Sequence, residues 1–185
     1  MNDQPKSTKI EDLGGKPIMS LRDLEYRLGE DRAMLRALAE SWQTEYKPFQ
    51  QLKAPKPFQR VVKAGRVREI DNPSKELKRV QKKILKRLLW PVKLPYFLFG
   101  AVSTRDVKQH AEEHLGQKTV VKMDVKGYYP SVTSRHVYDV WNRTLRYSPP
   151  IARLLTQLTT YEWHLPQGAP ATPLTQKVIS NLSGW

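Results

Sequence analysis

The segment Lys75–Leu89 constrains the fold more than any other stretch of the chain. Leu77, Val80, Ile84 and Leu88 recur at helical spacing on one side, so a helix here must bury that side against other apolar residues. Lys78, Arg79, Lys82, Lys83, Lys86 and Arg87 fall on the other side, and Glu76 is the segment's only acid. A helix this one-sided in charge suits a phosphate backbone, although charge runs more commonly form a solvated face. The whole chain leans the same way: 32 Lys and Arg against 18 Asp and Glu give a formal charge of +14 over 185 residues. Such an excess favours a polyanionic partner, most often nucleic acid. An anionic membrane surface would instead need a basic amphipathic helix with bulky apolar residues left exposed.

Composition removes several other classes. Cysteine is absent, which excludes disulfides and thiolate metal sites. No apolar run is long enough to cross a bilayer, and Met1–Lys16 is polar where a signal peptide would be apolar. The expectation is a cytoplasmic protein without a membrane partner. The length allows one domain, or two subdomains sharing a core.

Helical spacing appears first at Leu21, Leu24 and Leu28, after Ser20-Leu21-Arg22-Asp23, which fits a capping box. Gly29 interrupts the stripe, and Leu35, Leu38, Trp42 and Tyr46 resume it on a second helix. Lys53–Pro57 reads as a linker. Phe58–Lys63 and Arg66–Ile70 read as the arms of a hairpin around Ala64-Gly65, with a basic tip of Lys63, Arg66 and Arg68. Asp71-Asn72-Pro73-Ser74 is a turn that starts the basic helix. Residues 90–105 read as loop and Asp106–His114 as helix. Thr119–Asp124 is a short β-branched run, hence a strand ending on an aspartate, followed by an aromatic turn at Val125–Pro130. Helices are expected over Arg135–Leu145, Pro150–Thr160 and Pro173–Leu182, with a turn at Pro166-Gln167-Gly168.

A carboxylate at a strand end is rigidly aimed beside a loop that can receive a ligand. Mg²⁺ takes oxygen ligands, usually one or two protein carboxylates plus substrate phosphates. A lone aspartate after a strand is more often a turn former, so the surroundings of Asp124 must decide. Val120-Val121-Lys122-Met123-Asp124-Val125-Lys126-Gly127-Tyr128-Tyr129-Pro130-Ser131-Val132 resembles the first catalytic motif of reverse transcriptases. Leu165-Pro166-Gln167-Gly168-Ala169-Pro170-Ala171-Thr172-Pro173, with Ser180-Asn181-Leu182, resembles the next palm motif. Arg68-Glu69-Ile70 with Pro73 and Leu77-Lys78-Arg79-Val80-Gln81 is similar to the fingers segment, and Gly100-Ala101-Val102-Ser103-Thr104-Arg105 to the one after it. Together these stand in the family's order between Val61 and Leu182. The paired N-terminal helices and His110-Ala111-Glu112-Glu113-His114 look retron-like; the retron element is Asn-Ala-x-x-His, and His110 stands at the Asn position. Group II intron enzymes share the palm motifs.

The resemblance implies an α+β fold with right-hand polymerase fingers, an incomplete palm and no thumb. Its expected divisions are a mobile tail over 1–17, N-terminal helices over 18–52, fingers over 53–118 and partial palm over 119–185. It implies RNA-templated DNA synthesis by nucleotidyl transfer with two Mg²⁺ ions and dNTP substrates, a structured RNA template and DNA product as partners, and a role in anti-phage defence. By the same resemblance Asp124 is the catalytic metal ligand and Val125 contributes through its carbonyl. Arg68 and Lys63 hold the triphosphate, with Arg66 as the alternative to Lys63. Tyr129 excludes a 2′-hydroxyl, Gln167 and Gly168 lie near the nucleotide sugar and template, and Arg105 contacts the template. The family's Tyr-x-Asp-Asp motif is absent, and Glu162 is the only acid after Asp139. Isolated activity is therefore not expected, and the rival readings are a nucleic-acid-binding protein without catalysis and a truncated fragment. An effector protein, a complementing C-terminal fragment and self-association remain open as partnerships. His110–His114 also fits the zinc pattern His-x-x-Glu-His, which would need a third ligand from a second helix.

Overall fold

The computed structural model describes residues 16–52, 67–94, 97–99, 105–123, 127–173, 175 and 178. Two short helices open it. The first, α1, spans Leu21–Leu28; Ser20 Oγ accepts from Asp23 N, and Gly29 closes the helix in the left-handed conformation at φ 54°. Only half of the expected capping box forms, because the Asp23 carboxylate pairs with Arg27 at 3.0 Å. The second, α2, spans Arg32–Glu40 and is capped by Asp31, which accepts from Ala33 N and Met34 N. It stops short of Trp42 and Tyr46, which sequence spacing assigns to it; Tyr46 instead bridges Pro73 in an extended pairing.

That bridge is the base of a two-stranded ribbon. Strands β1 (Phe49–Leu52) and β2 (Val67–Ile70) pair antiparallel, Phe49 opposite Ile70 and Leu52 opposite Val67, in the register that Tyr46 and Pro73 set below them. The partner of β2 is thus a segment expected to close the N-terminal helical region. Phe49-Gln50-Gln51-Leu52 carries little strand propensity, so the pairing comes from the register already fixed beneath it. The arm expected at Phe58–Lys63 lies outside the described residues.

The basic helix α3 (Lys75–Ile84) runs on into a π-helical turn over Leu85–Leu89, and Ser74 Oγ caps it through Leu77 N. Leu77, Val80, Ile84 and Leu88 are buried, as expected from their spacing, and Leu89 beside them is buried as well. So is Gln81, whose Nε2 donates to Tyr46 Oη at 2.8 Å and to the Leu158 carbonyl at 2.9 Å. Helix α4 (Val107–Glu112) buries none of its residues. The turn α5 (Tyr128–Ser131) leads to α6 (Ser134–Asp139), prolonged by a π-helical turn over Val140–Thr144. Helix α7 (Pro149–Thr159) packs against α2 and α6. Apolar residues from Ile18 to Val178 form one buried cluster, with Trp141 fully enclosed.

The expected α+β class holds in this mixed form. Among the described residues, however, the β1–β2 ribbon is the only sheet. Thr119–Met123, expected as a strand, forms no ladder, and Val121 and Met123 are exposed. No described strand offers these residues a partner. Among the described residues no helix is long and apolar enough to cross a membrane.

Helix α3 is fastened to the α1–α2 turn by charge. Glu30, nearly buried, pairs with Lys83 at 2.7 Å and Arg79 at 3.1 Å. Lys83 also donates to the Gly29 carbonyl and Arg87 to the Arg27 carbonyl. Glu30→Ala is expected to cost about 1–2 kcal/mol, less than a fully buried pair, because both cations can turn toward water. Urea unfolding midpoints measure it, and an unchanged midpoint would contradict it.

Candidate nucleotide and nucleic-acid site

The sequence places candidate residues at Arg68 and at Gln167–Gly168, far apart in the chain. The fold joins their segments through Asp71. Asp71 N donates to the Gln167 carbonyl at 2.9 Å, and Gln167 N donates to Asp71 Oδ2 at 2.8 Å. Gly168, at φ +102°, lies against Ile70: a Cβ there would sit 2.9 Å from Ile70 Cγ2. The foot of β2 is thereby docked on the Pro-Gln-Gly turn, three residues from the exposed Arg68. Thr172 Oγ1 braces the turn from the other side by donating to the Pro166 carbonyl at 2.7 Å. Both backbone polar groups of Gln167 are engaged, while its side-chain amide has no hydrogen-bond partner among the described residues.

The turn is also tied to the segment after Asp124. Leu165 N donates to the Val132 carbonyl at 2.9 Å and Ser134 N to the Trp163 carbonyl at 2.7 Å. Gly127, left-handed at φ 65°, starts α5, which carries Tyr128 and Tyr129. Both rings are partly buried against the core and meet edge to face at 6.2 Å. Asp124, Val125, Lys63 and Arg66 lie outside the described residues.

Burial raises the Asp71 carboxyl above the ordinary carboxylate range, against the opposing pull of the Gln167 N–H. The folded protein therefore holds this proton more tightly than the unfolded chain does. Ionised Asp71 opposes folding at neutral pH, and that penalty fades as pH falls through its folded-state pKa. Asp71→Asn keeps an acceptor for Gln167 N and removes the charge. It is expected to be at least as stable as wild type at neutral pH and to lose this part of the acid-side gain. Unfolding midpoints across the acid range check it; a less stable variant that keeps the full gain would contradict it.

The six cations expected to meet phosphate have different settings. Lys78 donates to Asn72 Oδ1 at 2.9 Å; Arg79, Lys83 and Arg87 are engaged with the α1–α2 turn. Lys86 lies over the Trp90 ring at 5.9 Å. Lys82 is exposed, with no partner among the described residues. Arg105 donates to the carbonyls of Leu98 and Leu94, organising its own loop. His110 stacks on Phe99 at 5.0 Å and meets His114 edge-on at 5.3 Å, and no group of three or more metal-ligating side chains gathers among the described residues.

Sequence reasoning treated Asp71 only as a turn former and left Trp42 and Trp163 without a site role. The Asp-Asn-Pro-Ser turn signal was visible; its long-range partner was not.

No family model matches the chain. Among curated proteins, the Retron Se72 reverse transcriptase of Salmonella heidelberg (strain 579083-10) is 32% identical over 159 residues, covering 84% of this chain. The Retron Ec86 reverse transcriptase of Escherichia coli is 32% identical over 114 residues, or 62% of the chain. The Retron Mx65 reverse transcriptase of Myxococcus xanthus is 30% identical over 129 residues, or 60%. This chain is related to the retron-type reverse transcriptases. It spans 39%, 35% and 30% of the lengths of those three retron proteins, respectively.

Proposed function

We propose that the chain forms the fingers and part of the palm of an RNA-directed DNA polymerase of retron type, with 18–52, 53–118 and 119–185 as its N-terminal, fingers and palm regions. The observation that carries this reading is the docking of the β2 foot, through Asp71 and Ile70, onto the Gln167–Gly168 turn. A nucleotide site needs basic fingers and palm residues held at fixed separation. The clamp supplies such a connection between elements that the retron resemblance assigns to the same site.

In this reading Arg68 offers its exposed guanidinium fork to triphosphate oxygens, with Lys63 as a point charge beside it. The Gln167 amide faces the sugar or template, and Gly168 permits close backbone approach. Tyr129 closes the space that a 2′-hydroxyl would need. Lys82 and Lys86 are the foremost phosphate contacts of the basic helix, with Lys78, Arg79, Lys83 and Arg87 adding to its field; Arg105 positions the loop next to the template.

For Mg²⁺, the donors are the Asp124 carboxylate and the Val125 carbonyl, hard oxygens of the kind the ion prefers. The donor set fits in kind, with one carboxylate supplied by these 185 residues. When bound, the metal lowers the cost of charge on the attacking and leaving oxygens. An RNA template, a DNA product, a cytoplasmic setting and a place in anti-phage defence belong to the same proposal.

The test is Mg²⁺-dependent extension of a DNA primer on RNA by the chain joined to a segment carrying Tyr-x-Asp-Asp. Incorporation of deoxynucleotides in preference to ribonucleotides supports the reading. Failure of the joined protein to extend, with its folding verified, counts against it.

A further inference from the structure

Tyr161 and His164 exchange both backbone hydrogen bonds, Tyr161 N to His164 O at 3.0 Å and His164 N to Tyr161 O at 2.9 Å. The two residues between them, Glu162 and Trp163, have φ values of +43° and +64°. A two-residue hairpin turn of this hand normally uses Asn, Asp or Gly, because a Cβ crowds the neighbouring carbonyl in the left-handed region. A tryptophan is a poor occupant on backbone grounds, and its packing does not compensate in full, since Trp163 is 67% exposed.

The turn is nonetheless firmly held. Glu162 N donates to Gln43 Oε1 at 3.2 Å, and the Trp163 carbonyl accepts from Ser134 N at 2.7 Å. Tyr161 stacks on Tyr46 at 4.6 Å. The Trp163 ring meets the largely buried Trp42 edge to face, with centroids 5.2 Å apart and planes at 81°. That contact fixes the indole while much of its surface stays open. Each supporting segment also carries an exposed cation without an ion pair among the described residues: Lys47 follows Tyr46, and Arg135 follows Ser134. Burial, and then the charge of the neighbouring Glu162 carboxylate, raise the Tyr161 hydroxyl above its ordinary range.

We propose that Trp163 is a stacking platform for an unpaired nucleobase of single-stranded RNA or DNA, with Lys47 and Arg135 meeting the adjoining phosphates. A single fixed indole is not the contiguous apolar patch that protein docking uses. Base stacking needs only a π-face and nearby cations, and it is tolerant of sequence. Trp163 stands four residues before Gln167 in the chain, separated from it by His164, Leu165 and Pro166. The inference rests on the reading that the chain binds nucleic acid.

The test is fluorescence anisotropy of labelled single-stranded RNA, single-stranded DNA and duplex with the full chain, over a salt series. Trp163→Ala is expected to weaken single-strand binding about 5- to 100-fold, leaving the salt slope unchanged because no phosphate contact is lost. Trp163→Phe should retain most of the affinity. Trp163→Gly relieves the turn, so it should unfold at equal or higher urea concentration while binding as poorly as Trp163→Ala; this separates lost stacking from lost folding. The relative losses on RNA and DNA identify which strand uses the platform. If wild type binds and Trp163→Ala binds equally well, the platform is wrong and nucleic-acid binding stands. If wild type binds neither RNA nor DNA, the nucleic-acid reading and the platform both fail.

Discussion

Gly168→Ala is expected to lower the unfolding free energy by about 2–4 kcal/mol, through backbone conformation and steric overlap together. At φ +102° an L side chain is strained whatever space surrounds it, and here there is none: the new Cβ would stand 2.9 Å from Ile70 Cγ2. Ile70 cannot retreat cheaply. It ends β2, opposite Phe49, and the next residue is anchored to Gln167 by two hydrogen bonds. Pushing Ile70 away therefore pulls on the Asp71 clamp. Ile70→Ala removes the atom that Cβ would strike, so a double-mutant cycle divides the cost. In the Ile70→Ala background, Gly168→Ala should keep its conformational penalty and lose its steric one. Urea unfolding of the four proteins measures this. An effect of Gly168→Ala within about 0.5 kcal/mol of zero, the range of an ordinary surface substitution, would show that the turn and β2 are not docked as described.

Asp124→Ala is expected to reduce nucleotide incorporation by roughly 10³-fold or more in a chain completed with a Tyr-x-Asp-Asp segment. A bound metal contributes several kcal/mol of transition-state charge stabilisation, and each factor of ten in rate corresponds to about 1.4 kcal/mol. Asp124→Asn should lose nearly as much, because the amide keeps the size and discards the charge. Affinity for RNA should stay within about twofold of wild type, since binding is dominated by cations and stacking. Single-turnover incorporation with separately measured RNA affinity distinguishes the two steps. Undiminished incorporation by Asp124→Ala would remove this residue from the chemistry. Equal losses of RNA affinity and incorporation would make it a binding residue instead.

The parts of the fold legible in the sequence are those whose cause is local. Leu77, Val80 and Ile84 announce the buried face of α3 by spacing, and Ser20 and Gly29 mark the ends of α1 by capping chemistry. The left-handed Gly168 is likewise foreshadowed by a Pro-Gln-Gly turn. Features set by distant partners were hidden. Trp42 and Tyr46 continue a helical stripe in sequence, yet Tyr46 is claimed by Pro73, Gln81 and Tyr161. Phe49–Leu52 reads poorly as a strand and becomes one because the base of the ribbon fixes its register. Thr119–Met123 has strand composition without a described strand to pair with. The charge on α3 was legible in amount but not in allocation: Glu30 takes Arg79 and Lys83 to hold the helical turn, leaving Lys82 the plainest outward cation. For the candidate site, motif order pointed to Arg68, Gln167 and Gly168, whereas the clamp through Asp71 required three dimensions.

The most direct measurement is the sequence of the product made on an RNA template of defined sequence, by the chain joined to a Tyr-x-Asp-Asp segment, with Mg²⁺ and all four dNTPs. The predicted result is a DNA strand complementary to that RNA, lost in the Asp124→Ala protein. A folded joined protein that makes no DNA, or makes DNA unrelated to the template, would contradict the assignment to RNA-directed DNA synthesis.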